Sequence, residues 1–190
     1  YQGRRIAGTL LFIRLRKPVT AMEKEPPPTP SRAARGKKSL SKKEVEALVG
    51  NYDLKPLLEA AEQDKRILRD LKRLLYSADP LLRWRAADTL GQVSAVIART
   101  DPGAVTRLLQ GLFSSVTDTA ASSWGALDAI GEVIRQQPER LSGFIPPLVQ
   151  LSRNRSLLEG VLQALVKIAD AAPELLQRTS YQIPALLDDA

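Results

Sequence analysis

The side chains of this sequence that could do chemistry are carboxylates, basic groups and two tryptophans, because the chain contains no His and no Cys. Without these two residue types there is no thiolate nucleophile, no imidazole base and no usual set of transition-metal ligands. The carboxylate pair Asp188–Asp189 has no partner acid, and the chain contains no glycine-rich phosphate-binding motif and no nucleophile elbow. We therefore predict a protein that is not an enzyme, with no catalytic, cofactor-binding or metal-binding residues.

Positive charge is concentrated at the N-terminal end. Residues 1–50 carry 12 basic and 4 acidic side chains, whereas residues 51–190 carry 16 and 17, so the net charge of +7 belongs to a basic arm over residues 1–40. Its proline-rich stretch at 26–30 indicates a stiff linker. A disordered, solubilising tail is the preferred interpretation, and a nucleic-acid-associated protein is the alternative, because a basic cluster can bind phosphates. The candidate phosphate-binding residues are Arg32, Arg35, Lys37, Lys38, Lys42 and Lys43.

The two ends of the sequence suggest that the native boundaries differ from those given. The only Met is Met22, so residues 1–21 are hypothesised to precede the natural start. The apolar run at 6–13 is too short to cross a bilayer, and we expect a cytoplasmic protein without a membrane partner. Residues 181–190 resemble the first helix of a hairpin whose second helix is missing, which predicts an N-terminal piece of a longer repeat protein.

Helix-start signals recur along residues 41–190. Ser41 and Glu44 form a capping-box pattern, and Asp53 and Asp64 are the predicted caps of the next two helices. No stretch alternates β-branched and polar residues, so the body is predicted to be all-α. Later helices are predicted to start at prolines, whose missing amide costs nothing at the first helical position: Pro80, Pro102, Pro138 and Pro173.

The helical body repeats itself. A shift of 40 residues places Trp84 on Trp124 and Gly91 on Gly131, and a further shift of 35 places Gly125 on Gly160. The predicted units cover about 64–100, 101–137, 138–172 and a partial 173–190. Each unit is a helical hairpin that cannot bury its apolar face alone, so the fold class is predicted to be an all-α solenoid of stacked antiparallel hairpins.

The second helix of each hairpin carries the candidate binding face. On the second helix of the first unit, small residues such as Ala87 and Gly91 would let the next helix pack closely. A lateral arc of polar side chains would form rows across the stacked units. An ordinary solvated face is the preferred interpretation of these rows, and a partner-binding face is the functional one. The candidate partner-binding residues in these rows are Arg85, Asp88, Gln92, Asp128, Glu132, Gln163 and Lys167. Trp84 and Trp124 occupy equivalent positions in two units. The preferred interpretation is that they pack between repeats, rather than stack on a ligand.

Residues 79–91, DPLLRWRAADTLG, resemble the signature of the HEAT-repeat family, D-x-x-V-R-x-x-A-x-x-A-L-G. The short units also resemble the HEAT-like repeats named after phycobilisome lyases, as found in bacterial HEAT-repeat proteins. The resemblance implies an armadillo-like, right-handed α-solenoid that binds partners on its concave second-helix face. It also implies a structural Arg83 that pairs with Asp79 or with Asp118 of the next repeat.

These observations favour a monomeric scaffold or adaptor that binds an unknown protein partner. The resemblance to lyase-type repeats leaves a further alternative, an accessory subunit for cofactor attachment. No residue set of that activity can be transferred to this chain.

Overall fold

A computed structural model describes residues 39–118 and 125–177 of the chain. All described residues belong to one compact unit of the chain, which begins at residue 38. Several sequence predictions lie outside the described residues: the arm side chains Arg32, Arg35, Lys37 and Lys38, the second tryptophan Trp124, and the terminal helix at 181–190.

Every regular element in the described ranges is helical, which confirms the all-α prediction. The first four helices are α1 (Lys42–Gly50), α2 (Lys55–Ala61), α3 (Ile67–Leu74) and α4 (Pro80–Ala98). They are followed by α5 (Pro102–Asp118), α6 (Ala126–Gln136), α7 (Pro138–Leu141), a 3₁₀ turn (Ser142–Phe144), α8 (Ile145–Leu151), α9 (Arg155–Ala171) and α10 (Pro173–Gln177).

The helix starts follow local sequence closely. All four predicted prolines begin a helix: Pro80, Pro102, Pro138 and Pro173. The capping box is present, with the Glu44 amide donating to the Ser41 hydroxyl and the Ser41 amide donating to the Glu44 carboxylate. Asp79 caps α4 by accepting the Leu81 amide at 2.9 Å.

Two predicted caps behave differently. The prediction that Asp53 caps α2 is wrong, since the cap position is Leu54, which makes no side-chain bond, and the Asp53 amide instead donates to the Leu48 carbonyl. The prediction that Asp64 caps α3 is also wrong, since the cap position is Arg66, which makes no side-chain bond, and Asp64 accepts the Arg66 amide in the turn before α3 begins at Ile67. Hydrogen bonds from the Ser39 hydroxyl and the Arg66 amide hold the pKa of the Asp64 carboxyl below its ordinary value.

The helices pair as hairpins, α3 with α4, α5 with α6 and α8 with α9. The second helices α4, α6 and α9 lie side by side and make the most extensive packing in the described chain, while α1 and α2 pack against α3 and α4. An aliphatic core runs through these contacts, including Leu71, Leu90, Leu109, Ile130, Leu148 and Ile168.

Two glycines determine how closely the second helices approach. A Cβ at Gly91 of α4 would lie 2.9 Å from the backbone oxygen of Glu132 in α6. A Cβ at Gly131 of α6 would lie 2.8 Å from the Cα of Ala164 in α9. Both distances are shorter than a carbon atom tolerates, so only glycine permits this backbone-to-backbone spacing. The prediction that small residues of α4 admit the next helix is confirmed at Gly91, and Gly131 makes the corresponding contact between α6 and α9.

Candidate functional site

Side chains from α4, α6 and α9 join in one network of charges across the three second helices. Arg135 of α6 contacts Asp88 of α4 at 3.5 Å and Glu132 of its own helix at 2.8 Å. Lys167 of α9 contacts Glu132 at 3.1 Å and Asp128 at 2.6 Å. We call these five residues the charged row. Four of these side chains were predicted from the sequence to share one face: Asp88, Asp128, Glu132 and Lys167.

The charged row lies partly beneath the surface. Asp88 is 6% exposed and Glu132 is 4% exposed, so neither is an ordinary solvated side chain. A buried carboxylate is costly unless it is paired and hydrogen-bonded. Glu132 meets two cations, and Asp88 also accepts a hydrogen bond from the Gln92 amide at 2.8 Å. These two predicted partner-binding residues are consequently engaged with their own neighbours, where they hold the second helices in register.

Tyr52, which no sequence pattern singled out, completes this side of the molecule. It lies in the turn between α1 and α2 with a φ of 56°. Its hydroxyl donates to Asp88 at 2.7 Å, and its ring stacks on Trp84 with centroids 5.9 Å apart. No signal in the sequence connects Tyr52 to a carboxylate 36 positions later, because their meeting depends on how α1 and α2 fold back onto α4.

The environment of Tyr52 raises the pKa of its hydroxyl to about 12. The main cause is the hydrogen bond to Asp88, followed by burial and by the negative charges of Asp88 and Glu132. Arg85, another predicted partner-binding residue, places its guanidinium 5.9 Å from the centroid of the Tyr52 ring and donates to the Gly50 carbonyl. Arg85 thus ties α4 to the end of α1.

Beside the charged row lies an open groove of about 480 Å³ between α4, α6 and α9. Its apolar surface comes from Trp84, which is 47% exposed, from Val166, which is 59% exposed, and from Leu162. Soluble proteins seldom leave large apolar side chains grouped on the surface without a function. Four polar side chains border the groove. Three of them, Asp128, Gln163 and Lys167, were predicted from the sequence, and the fourth is Glu159.

Trp84 has a different environment from the one predicted. Packing between repeats was the preferred interpretation, yet the indole is half exposed and its described aromatic contact is Tyr52 of the α1–α2 turn. Arg83 donates to the carbonyls of Ser77 and Ala78 and so supports the turn before α4. Asp79 serves that same turn as the helix cap.

The remaining candidates lie away from the groove. Lys42 and Lys43 are exposed in the first turn of α1. Within residues 39–118 and 125–177, no group of three or more acidic side chains is placed to hold a metal ion. None of the helices in these two ranges combines the length and the apolar character needed to cross a membrane.

Comparisons with protein-family models, with curated proteins and with solved structures find no match to this chain. The function of the protein is therefore inferred from the groove, from the charged row and from the sequence pattern.

Proposed function

We propose that this protein is a non-enzymatic scaffold or adaptor that binds a protein partner on the face formed by α4, α6 and α9. The observation that carries the proposal is the groove, which groups the exposed side chains of Trp84 and Val166 with Leu162. Exposed Trp side chains in partly enclosed apolar sites are the residues that most often dominate the energy of a protein interface.

The charged row supports this function by making the face rigid before a partner arrives. Pairing of Arg135 and Lys167 with buried carboxylates fixes the spacing of α4, α6 and α9. A preformed surface loses less conformational entropy on binding than a mobile one. Of the polar candidates, those that border the groove, Asp128, Gln163 and Lys167, are placed to contact the partner, while Asp88 and Glu132 position them.

The fold that we propose for this function is a HEAT-like α-solenoid. Three observations support it: the side-by-side second helices, the glycine contacts repeated at α4–α6 and α6–α9, and the resemblance of residues 79–91 to the HEAT signature. In such a fold the second helices line the inner surface, and the groove is formed by side chains of these helices.

The test uses the full chain as bait in a lysate, with the captured proteins identified by mass spectrometry. A discrete partner is expected to be retained by the unmodified chain and lost with Trp84→Ala and with Val166→Asp. Tyr76→Ala is the matched control, because Tyr76 is also an exposed aromatic residue, at 36%, and does not line the groove. The interaction is then measured by calorimetry with the purified partner. Loss of binding with Tyr76→Ala to the same degree would contradict the assignment to the groove.

The same experiment distinguishes the nucleic-acid alternative. Binding through basic side chains releases counterions and weakens steeply as salt rises, whereas binding through an apolar groove changes little. We expect the affinity to change less than about threefold between 50 and 200 mM salt, against the several orders of magnitude seen for proteins with many phosphate contacts. A complex that contains nucleic acid and is lost on replacing Arg32, Arg35, Lys37 and Lys38 with Gln would instead favour the basic arm.

A further inference from the structure

The groove contains two carboxylates whose surroundings differ. Asp128 pairs with Lys167, whose Nζ lies 2.6 Å from its Oδ1 and also contacts Glu132 at 3.1 Å. Glu159 is exposed, and its contact within the described part of the chain is a neutral one, an amide of Gln163 that donates to its Oε1 at 3.2 Å. Glu159 is therefore a carboxylate of the groove that no described cation contacts.

An aromatic surface lies in the same groove. Trp84 is stacked on Tyr52 at an interplanar angle of 27°, and its indole still exposes 47% of its surface and lines the groove. The face of an indole carries partial negative charge and attracts cations. The same aromatic cluster already holds one guanidinium, since Arg85 lies over the Tyr52 ring.

Resting on the protein-binding function above, we propose that the groove recognises an arginine side chain of the partner, flanked by an apolar residue. The guanidinium stacks on Trp84 and pairs with the Glu159 carboxylate, and the neighbouring apolar side chain packs on Leu162 and Val166. Charge complementarity selects this occupant. The face of Trp84 and the Glu159 carboxylate favour a cation, and the apolar side chains of Leu162 and Val166 favour an apolar residue next to it.

Arginine fits better than lysine for a geometric reason. The guanidinium is planar, so it can stack on an indole and at the same time donate two parallel hydrogen bonds to a carboxylate. A lysine ammonium is a compact and strongly hydrated charge that cannot do both through one planar surface.

The probes are three acetylated tetrapeptide amides of the form Gly-Leu-X-Gly, in which X is arginine, lysine or the neutral isostere citrulline. The full chain is observed by NMR through the indole N–H signal of Trp84, which Trp84→Phe identifies by its loss. We expect the arginine peptide to shift this signal saturably. The citrulline peptide is expected to bind about three- to tenfold more weakly than the arginine peptide, because it loses a cation–π contact and an exposed charge-assisted hydrogen bond. The lysine peptide is expected to have an intermediate affinity.

Glu159→Gln is expected to remove most of the difference between the arginine and citrulline peptides. Glu59→Gln is the matched control, an exposed glutamate of α2 that does not line the groove, and it should leave the difference unchanged. Circular dichroism verifies that each variant remains folded.

The inference is overturned if the citrulline peptide binds as tightly as the arginine peptide, if Glu159→Gln has no effect, or if no peptide perturbs the Trp84 signal. None of these outcomes contradicts the proposed protein-binding function if Trp84→Ala still abolishes capture of the protein partner. The protein-binding function is contradicted by a different result, namely capture that is unchanged by Trp84→Ala and by Val166→Asp.

Discussion

At the scale of single residues, Tyr52 and Asp88 show how a side chain obtains its chemistry from tertiary contacts. Asp88 is buried and receives hydrogen bonds from the Tyr52 hydroxyl and the Gln92 amide. The protonated phenol is what allows Tyr52 to donate to a carboxylate. Ionisation would place two negative charges against each other, so the folded state holds the proton more tightly than the unfolded chain does.

The elevated pKa of Tyr52 has a consequence for stability at high pH. The ordinary value of 10.0 applies to the unfolded chain, and the folded value is about 12. Its contribution to stability is therefore fully present below pH 10 and is lost as the pH rises towards 12. Spectroscopic titration at 295 nm should show one of the four tyrosines ionising late, and Tyr52→Phe should remove that step. Retention of the late step in Tyr52→Phe would refute the assignment.

Gly91 provides a second prediction at this scale. Gly91→Ala places a methyl group against the backbone of Glu132, which cannot move aside without separating α4 from α6. The free energy of unfolding should fall by about 1–3 kcal/mol, the usual range for overpacking in a core. Gly50→Ala is the control, since a Cβ there meets nothing within 4 Å, and it should be neutral or stabilising. Urea unfolding measures both variants, and equal effects would contradict the close approach.

At the scale of elements, the charged row joins helices that are far apart in sequence. Lys167 of α9 reaches two carboxylates of α6, one of them buried, and Arg135 of α6 reaches α4. Each link crosses a junction that also contains a glycine contact. The second helices are thus held by backbone proximity and by charge pairing at the same places.

Lys167→Met tests the contribution of this pairing. The substitution keeps the apolar stem but removes the cation from buried Glu132 and from Asp128, so the free energy of unfolding should fall by about 1.5–3 kcal/mol, the range for hydrogen bonds to charged groups. Glu46→Gln, which breaks an exposed contact with Arg73 at 3.5 Å, should cost less than about 1 kcal/mol. Urea unfolding should separate the two variants, and a cost for Glu46→Gln equal to that of Lys167→Met would show that burial of the row is unimportant.

At the scale of the whole molecule, the proposed solenoid is an arrangement in which each unit stabilises only its neighbours. The hairpin of α5 and α6 lies between the first and third hairpins, so damage at one junction should remain local. A globular helical bundle with one shared core would instead lose stability everywhere at once.

Gly131→Ala distinguishes these possibilities. The added methyl group meets the Cα and Cβ of Ala164, which separates α9 from α6. Hydrogen exchange followed by mass spectrometry should then show reduced protection in residues 138–172 and nearly unchanged protection in residues 64–100. Uniform loss of protection across both segments would argue against a linear stack.

Most helix starts of this protein could be predicted from its sequence because they are encoded over short distances. Ser41 with Glu44 and the four prolines act within one turn, so their helices begin where expected. The helical pattern likewise predicted that Gly91 would let the next helix pack closely. The predicted caps Asp53 and Asp64 were wrong, because α2 and α3 begin after Leu54 and Arg66 without a side-chain cap.

The candidate site was only half predictable. Sequence placed Asp128, Gln163 and Lys167 on one face, but the groove they border also requires Trp84, Leu162 and Val166 to converge from different helices. The structure also shows that Asp88 and Glu132 are buried, that Tyr52 stacks on Trp84 and that no described cation contacts Glu159. These features depend on distances between helices that are far apart in sequence. The all-α class and most helix starts were predictable because they depend on local propensity and on the spacing of apolar residues. The internal pairing of some polar side chains and the exposure of others were not, because both depend on how closely neighbouring helices pack.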